Sequence, residues 1–265
     1  MKTTRRLFTA LAASTLLAGF AAPSLAADLQ AIKDAGRVRI GMMVDFPPFG
    51  ILDASGQPGG YDADVAKALA SYLGVDVQIV PVTGPNRIPY LLSGQVDLLV
   101  ASLGITAERA ERVDFSTPYA GIAIGVYGGT DVQIADAADL AGKTVAVARA
   151  STQDIGVTEV APAGTEIRRF DDDASAVQAL MSRQVQAIGL SNVVFTQISG
   201  VAGGRFEKKF DLSSQVQGIA VAPGSDALLA EINAFVVASR TDGTFDGLYQ
   251  TWLGEDLPDF VKNAE

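Results

Sequence analysis

Segments of strand length alternate with segments of helical periodicity along most of the chain. Residues 37–44 and 144–148 are short and rich in apolar residues, as strands are. Residues 63–73 and 174–183 instead repeat their apolar side chains every three or four positions, which is typical of amphipathic helices. This alternation predicts an α/β protein with largely parallel sheets.

Residues that commonly begin or end helices refine these predictions. Asp62 is expected to cap the helix at 63–73, and Gly74 is expected to end it. Ser151 is expected to open a second helix, and Ser225 is expected to cap a long helix near the C-terminus.

The strand and helix series is interrupted by the glycine-rich segment 121–129, after which a similar series begins. We therefore expect two α/β lobes, with residues 28–128 and 219–265 in lobe I and residues 129–218 in lobe II. A chain arranged in this way crosses twice between its lobes. Paired crossings of this kind form a hinge.

The first 27 residues have the composition of an export signal. Three basic residues precede an apolar run at 7–20, and Ser24-Leu25-Ala26 supplies the small residues that signal peptidase requires. The apolar run is shorter than the roughly 20 residues of a membrane-spanning helix. We expect cleavage after Ala26 or Ala27, export by the Sec or twin-arginine route, and a soluble periplasmic protein.

Charge and missing residue types narrow the chemistry further. The chain has 20 basic and 30 acidic side chains, and three of the basic ones lie in the signal segment, so 17 basic groups remain. This acidic balance argues against a nucleic-acid partner. The absence of Cys and His excludes disulfides, a lipidated cysteine, Ser-His-Asp triads and the usual zinc sites. Carboxylate, lysine, tyrosine or serine chemistry remains, or binding without a reaction, and we expect no metal and no cofactor.

Five loop motifs then follow one another in the order and at the spacing of a known family. They are DFPPF at 45–49, GYDADVA at 60–66, ITAER at 105–109, VDFSTPY at 113–119 and LAGKTV at 140–145. In these motifs the chain resembles the polar amino-acid solute-binding proteins of ABC importers, whose fold is shared with the ligand cores of ionotropic glutamate receptors. The resemblance implies a fold like the type II periplasmic binding proteins, a monomer, an amino-acid ligand and a membrane permease as partner.

The resemblance also implies that the loop at 102–106 and Arg109 bind the α-carboxylate of the ligand. Ser102 and Gly104 lie in this loop, although relatives often carry Ser or Thr at the position of Gly104. A guanidinium suits the role, because its planar fork donates two parallel hydrogen bonds to a carboxylate. The alternative, taken from the residues alone, is that Arg109 is exposed in the first turn of a helix.

Two further residues of lobe I are implied by the resemblance. Phe46 matches the aromatic residue that stacks on the ligand in relatives, and we expect Phe46 to face the cleft and Phe49 to lie in the core. The alternative is that both rings are core residues. Arg87 lies in a stretch that resembles the glutamate and aspartate binders, so Arg87 and Arg109 together favour a ligand with two anionic groups. The alternative for Arg87 is a solvated residue at a helix start.

The second lobe is expected to supply Ser151 and Thr152, whose hydroxyls can bind an anion at a helix N-terminus or simply cap the helix. Relatives usually place an aspartate after the strand that ends at Leu190, and this carboxylate binds the ligand's α-ammonium group. Here Ser191-Asn192 stands instead. Either Asn192 or another acid such as Asp154 takes this role, or the ligand has no free α-amino group.

The sequence therefore predicts a non-enzymatic solute-binding protein that closes on a small amino acid, with acidic or polar ligands favoured. One alternative is a periplasmic dehydratase-like enzyme for prephenate-like substrates. Because the chain has no His, that enzyme needs a carboxylate or lysine in the cleft as general acid or base, and a cleft carboxylate with a raised pKa would support it. Another is a ligand-sensing protein that binds a non-amino-acid anion and contacts a receptor.

Overall fold

The computed structural model describes residues 27–264, so the predicted signal segment lies outside the described residues except for Ala27. Two five-stranded sheets with helices packed on them form two α/β lobes, as predicted. Within the described range no helix has both the length and the apolar character needed to cross a membrane.

The first sheet has the strand order β4-β1-β5-β12-β6. Its strands are β1 (Arg37–Met43), β4 (Asp76–Val82), β5 (Leu98–Leu99), β6 (Asp114–Phe115) and β12 (Ala220–Val221). Strand β1 runs parallel to β4 and β5, whereas β12 runs antiparallel to β5 and β6. A small hairpin of β2 (Ile51–Leu52) and β3 (Pro58–Gly59) lies beside this sheet's second helix.

The helices around the first sheet come from both ends of the described chain. They are α1 (Leu29–Ala35), α2 (Tyr61–Leu73), α3 (Arg87–Leu92), α4 (Ala107–Ala110), α8 (Asp226–Thr241) and α9 (Thr244–Leu253). Helix α2 packs on β1 and β4 and also contacts α8 and α9, so N-terminal and C-terminal segments share one core. A short last helix, α10 (Asp259–Lys262), packs on the second sheet.

The second sheet has the strand order β11-β7-β10-β8-β9. Its strands are β7 (Ala120–Gly129), β8 (Thr144–Ala148), β9 (Glu166–Phe170), β10 (Ala187–Ser191) and β11 (Phe206–Gln217). The helices of this lobe are α5 (Thr152–Val160), α6 (Asp173–Met181) and α7 (Asn192–Ala202), preceded by a 3-10 turn at Ala137–Leu140.

The sheets are largely parallel in strand direction, as predicted. In each sheet four strands run one way and one strand runs against them, β12 in the first sheet and β7 in the second. In the second sheet β7 pairs with β10 on one side and with β11 on the other, and its pairing with β11 extends along almost the full length of both strands. Strand β7 contains the glycine-rich segment, where the sequence predicts no strand. Its glycines allow a close approach of neighbouring backbone, because a Cβ added to Gly125 would lie 2.9 Å from the Phe210 carbonyl oxygen.

The chain passes between the sheets at two neighbouring places. The outward passage lies between β6 and β7, at residues 116–119, and the return lies between β11 and β12, at residues 218–219. Gln217 pairs with Ala120 at this point, so the two passages run side by side. The predicted lobe boundaries at 128 and 219 fall near the far end of β7 and just after β11.

Candidate ligand-binding site

A cavity between the two lobes brings together six of the nine predicted ligand-binding residues, namely Phe46, Arg87, Ser102, Arg109, Ser151 and Thr152. The space between its walls, open solvent at the mouth included, is about 420 Å³. The remaining wall residues were not predicted, and they are Met43, Gly84, Ile122, Ala148, Arg149, Gln153, Asp171, Asp172 and Asp173.

Arg109 lies on α4, whose first turn is capped by Thr106. Its side chain is not exposed as the alternative required, because the residue is only 7% accessible. Nη1 donates to the Gly104 carbonyl and Nη2 to the Ala150 carbonyl, each at 2.8 Å, so Arg109 connects the two lobes. Burial lowers its pKa to about 10, which leaves it charged at neutral pH. The other three of its five N–H donors form no hydrogen bond among the described residues, so they are available to a ligand.

Arg87 begins α3 and is also buried, so its interpretation as a solvated residue is wrong. Nη1 donates to the Ala101 carbonyl at 2.7 Å and lies 3.2 Å from the Met43 sulfur. Burial, and then the positive charge of Arg109, lower its pKa to about 9. Neither arginine forms a salt bridge within residues 27–264. Two desolvated like charges in one cavity favour an anion between them.

The loop after β5 is held from behind by a buried carboxylate. Ser102 has a positive φ of 48°. Its hydroxyl donates to Asp62 Oδ2 at 2.7 Å, while the Tyr119 hydroxyl donates to Asp62 Oδ1 at 2.8 Å. The prediction of Asp62 as a helix cap is therefore wrong: Gly60 occupies the cap position of α2, and Asp62 is fully buried. Burial raises its pKa to about 6, against the effect of these two hydrogen bonds.

The aromatic wall of the cavity comes from the loop after β1. Phe46 lines the cavity and is 4% accessible, and its ring stacks on that of Phe49 at 5.6 Å. Phe49 is completely buried in the core, as predicted. This packing holds the Phe46 ring in place at the cavity wall.

The facing wall is the N-terminus of α5. The Ser151 hydroxyl accepts from the Asp154 backbone N–H at 3.0 Å and donates to the Ala148 carbonyl at 2.7 Å, so Ser151 caps this helix, as predicted. Thr152 follows it on the cavity wall. The free N–H groups of this helix end favour negative charge, as do the arginines opposite.

Gly104 does not line the cavity but lies where the lobes touch. A Cβ on this residue would lie 2.8 Å from Gln215 Cγ and 2.9 Å from Thr152 Cγ2, both on the second lobe. Its carbonyl group accepts the hydrogen bond from Arg109. The missing side chain thus permits close contact of the lobes beside the arginine.

Ser191 and Asn192 lie away from the cavity wall. Ser191 is fully buried and accepts from the Val194 N–H at 3.3 Å, as the cap of α7. Asn192 Oδ1 accepts from the Ala123 N–H at 3.0 Å. Asp154, the other acid considered for the ammonium group, pairs with Arg169 at 2.9 Å. A ligand-binding role for Ser191 and Asn192 stays a prediction.

An acidic cluster that the sequence analysis missed lies on the same cavity wall. The cluster contains three consecutive aspartates: Asp171 and Asp172 connect β9 to α6, and Asp173 begins α6. Asp45 lies near them in the loop after β1. Asp173 is 4% accessible, and its Oδ1 has no hydrogen-bond partner in the described structure. Burial, then the charge of Asp45, raise its pKa to about 7, while Arg87 opposes this shift. Burial and then Asp172 also raise the pKa of Asp45.

One signal in the sequence could have identified these acids. The aspartates directly follow β9, which pairs in parallel with β8, and the loop after β8 was already assigned to the ligand. Carboxyl ends of neighbouring parallel strands share one edge of a sheet, where ligands bind in α/β proteins.

Comparison with known proteins gives a consistent result. The model of the bacterial extracellular solute-binding proteins, family 3, matches residues 38–255. The ABC transporter glutamine-binding protein GlnH of Bacillus subtilis is 34% identical, over 86% of this chain and 85% of its own. The solute receptor for L-cysteine of Neisseria gonorrhoeae has 33% identity and a TM-score of 0.81, with 86% and 94% covered.

A third similar protein, known from its crystal structure, bears on the enzyme alternative. It is an ancestral amino-acid-binding protein described as a precursor of cyclohexadienyl dehydratase, with 32% identity, a TM-score of 0.76, and 84% of this chain and 98% of that chain covered. The family match spans most of the sequence and agrees with the two-lobed fold. The chain therefore belongs to the bacterial extracellular solute-binding proteins of family 3.

Proposed function

We propose that the protein is the periplasmic solute-binding component of an ABC importer, and that it captures a small amino acid, acidic or polar, and delivers it to a membrane permease. The relatives are named as binding proteins or receptors for glutamine, cystine, cysteine or arginine, which supports an amino-acid ligand. On this proposal the protein acts as a monomer without cofactor and catalyses no reaction.

One observation carries the proposal: Arg87 and Arg109 are both buried, both line one cavity, and neither is paired with a carboxylate within residues 27–264. An unpaired buried charge costs several kcal/mol, so a site of this kind is stabilised when an anionic group binds. A ligand α-carboxylate, or a side-chain carboxylate in addition, supplies that anion.

Contacts to both lobes give the mechanism of capture. Arg109 and Phe46 belong to lobe I, while Ser151 and Thr152 belong to lobe II. A ligand that touches both walls binds the closed form better than the open form, and this difference in affinity shifts the population toward closure. The permease then recognises the closed form.

The test is direct. The protein is purified from the periplasm and any copurifying solute is identified by mass spectrometry. Refolded, ligand-free protein is then titrated by calorimetry with glutamate, aspartate, glutamine, cysteine, arginine and leucine. Binding of an acidic or polar amino acid is expected, whereas binding of only arginine or leucine would refute the ligand class. Failure of all six would refute the amino-acid function.

The enzyme alternative has one observation in its favour, which is the raised pKa of Asp173 on the cavity wall. A carboxylic acid with a pKa near 7 can serve as a general acid. Incubation with prephenate and chromatography of the products tests this alternative. We expect no turnover, because Asp173 is better explained as a ligand-binding residue.

A further inference from the structure

The protein leaves two carboxyl groups at the acidic end of the cavity unsatisfied, that of Asp173 on the wall and that of Asp45 near it. Oδ1 of Asp173 and Oδ1 of Asp45 are both buried and have no hydrogen-bond partner among the described residues. Native proteins pair nearly all such atoms, because an unpaired buried acceptor costs about 1–3 kcal/mol. Because Asp173 lines the cavity, its unpaired carboxyl oxygen points to a partner that binds from the cavity.

The local structure holds Asp173 in place without satisfying it. The preceding residue, Asp172, caps α6 through its bond from the Ser175 N–H at 2.6 Å, so Asp173 occupies the first helical position. Asp171 is engaged elsewhere, since it faces Arg149 at 3.4 Å. The position of Asp173 is thus fixed by its backbone, while its carboxylate lines the cavity.

The surroundings define the chemistry of the missing partner. Asp45 and Asp172 lie near Asp173 and repel its negative charge, and the charge of Arg87 compensates only in part. A donor with a positive charge would satisfy both the geometry and the electrostatics. Among the described residues, no group of three or more His, Cys, Asp or Glu side chains is arranged to hold a metal ion. This favours an organic cation as the partner.

We propose that Asp173, supported by Asp45, binds the cationic group of the ligand and so replaces the carboxylate that the chain lacks at Ser191. The arginines and the acids then form two ends of one site, suited to a zwitterion. This inference rests on the proposed amino-acid-binding function and adds to it the residues that bind the positive charge.

The experiment compares ligands that differ by one charge, in the wild type and in Asp173→Asn. L-glutamine and its analogue without the α-amino group, 5-amino-5-oxopentanoate, test the α-ammonium group. L-arginine and its neutral isostere L-citrulline test a side-chain cation. Asp211→Asn, which removes an exposed carboxylate on β11, is the matched control. Calorimetry gives each dissociation constant, and thermal unfolding shows that each variant folds.

In the wild type, the charged member of one pair is expected to bind about 10- to 100-fold more tightly. In Asp173→Asn this preference should fall to less than about threefold, because the affinity of the neutral analogue changes little while that of the charged ligand decreases. If the preference is lost for the glutamine pair, Asp173 binds the α-ammonium group. If it is lost for the arginine pair, Asp173 binds a side-chain cation. If both preferences persist in Asp173→Asn, the inference is wrong while the proposed function stands. Where neither L-glutamine nor L-arginine binds the wild type, the comparison is made with the amino acid of the six-member panel that does bind and its analogue without the α-amino group. If none of the six binds, the inference and the proposed function fail together.

Discussion

The arginine end and the acidic end of the cavity are both buried, yet their polar atoms are satisfied differently. At the arginine end, Arg87 and Arg109 donate to backbone carbonyls that fix their guanidinium groups. At the acidic end, the Oδ1 atoms of Asp45 and Asp173 have no partner in the described structure. The first end is therefore preorganised for an anion, whereas the second becomes satisfied only when a donor arrives.

The largest effect is expected at the arginine end. Arg109→Gln removes the charge, the hydrogen bond to Gly104 and the interlobe hydrogen bond to Ala150, so the dissociation constant of the best amino acid should rise about 100-fold. Arg109→Lys retains the charge but not the fork, and should give an intermediate loss. Arg183→Gln, an exposed arginine paired with Asp131, is the control. Unchanged affinity in Arg109→Gln, measured by calorimetry, would contradict the site.

The acidic end should instead affect the stability of the ligand-free protein. The pKa of Asp173 is about 7 in the folded state and 3.8 ordinarily, so the folded protein binds more protons than the unfolded chain between these values. Its stability should thus increase as the pH falls from about 8 toward 4. Asp173→Asn removes the buried charge and should raise the free energy of unfolding at pH 8 by on the order of 2 kcal/mol.

Urea denaturation at pH 8 and pH 5.5 measures this difference. The gain from Asp173→Asn should shrink at pH 5.5, where the wild-type carboxyl is protonated. A smaller increase below pH 6 should persist in the variant because of Asp62, whose pKa is about 6. Loss of stability in Asp173→Asn at pH 8 would show that the carboxylate is satisfied in the free protein.

The same contrast explains what the sequence could predict. Helix α5 and its cap Ser151 follow from local signals, and the motif resemblance located Arg109 and Phe46. Asp62 was assigned to a cap because its partners Ser102 and Tyr119 lie 40 and 57 residues away along the chain. Only the folded topology brings these groups together.

The acids were missed for a related reason. A run such as Asp171–Asp173 is typical of a solvated loop, and nothing in its sequence indicates that the third carboxylate is buried beside Asp45. Strand β7 was missed because glycines weaken the strand signal, although close backbone contacts require them there. The burial of Asp173 and the pairing of β7 both depend on packing between segments that are distant in the sequence.

A change at the contact between the lobes should affect closure alone. Gly104→Ala places a methyl group within 3 Å of Gln215 and Thr152, so it should disfavour the closed form and weaken ligand binding about tenfold. The melting temperature of the ligand-free protein should change little, because the lobes can separate. Gly200→Ala on α7, where an added Cβ meets nothing within 4 Å, is the control. Equal affinities in the two variants would show that this contact does not limit closure.

The smallest expected effect is the release of a proton from Asp173 when the ligand binds. At pH 7 about half of the Asp173 carboxyls are protonated, and a bound cation lowers that pKa, so binding should release up to about half a proton. Burial sets the starting pKa of this group first, and the charges of Asp45, Arg87 and Asp172 then adjust it. Calorimetry in phosphate and in Tris at pH 7 measures the release as a difference in binding enthalpy between the buffers. The difference should vanish in Asp173→Asn at pH 7, whereas Asp211→Asn should retain it. Equal release in the wild type and in Asp173→Asn would assign the proton to another group and leave the acidic end without its proposed role.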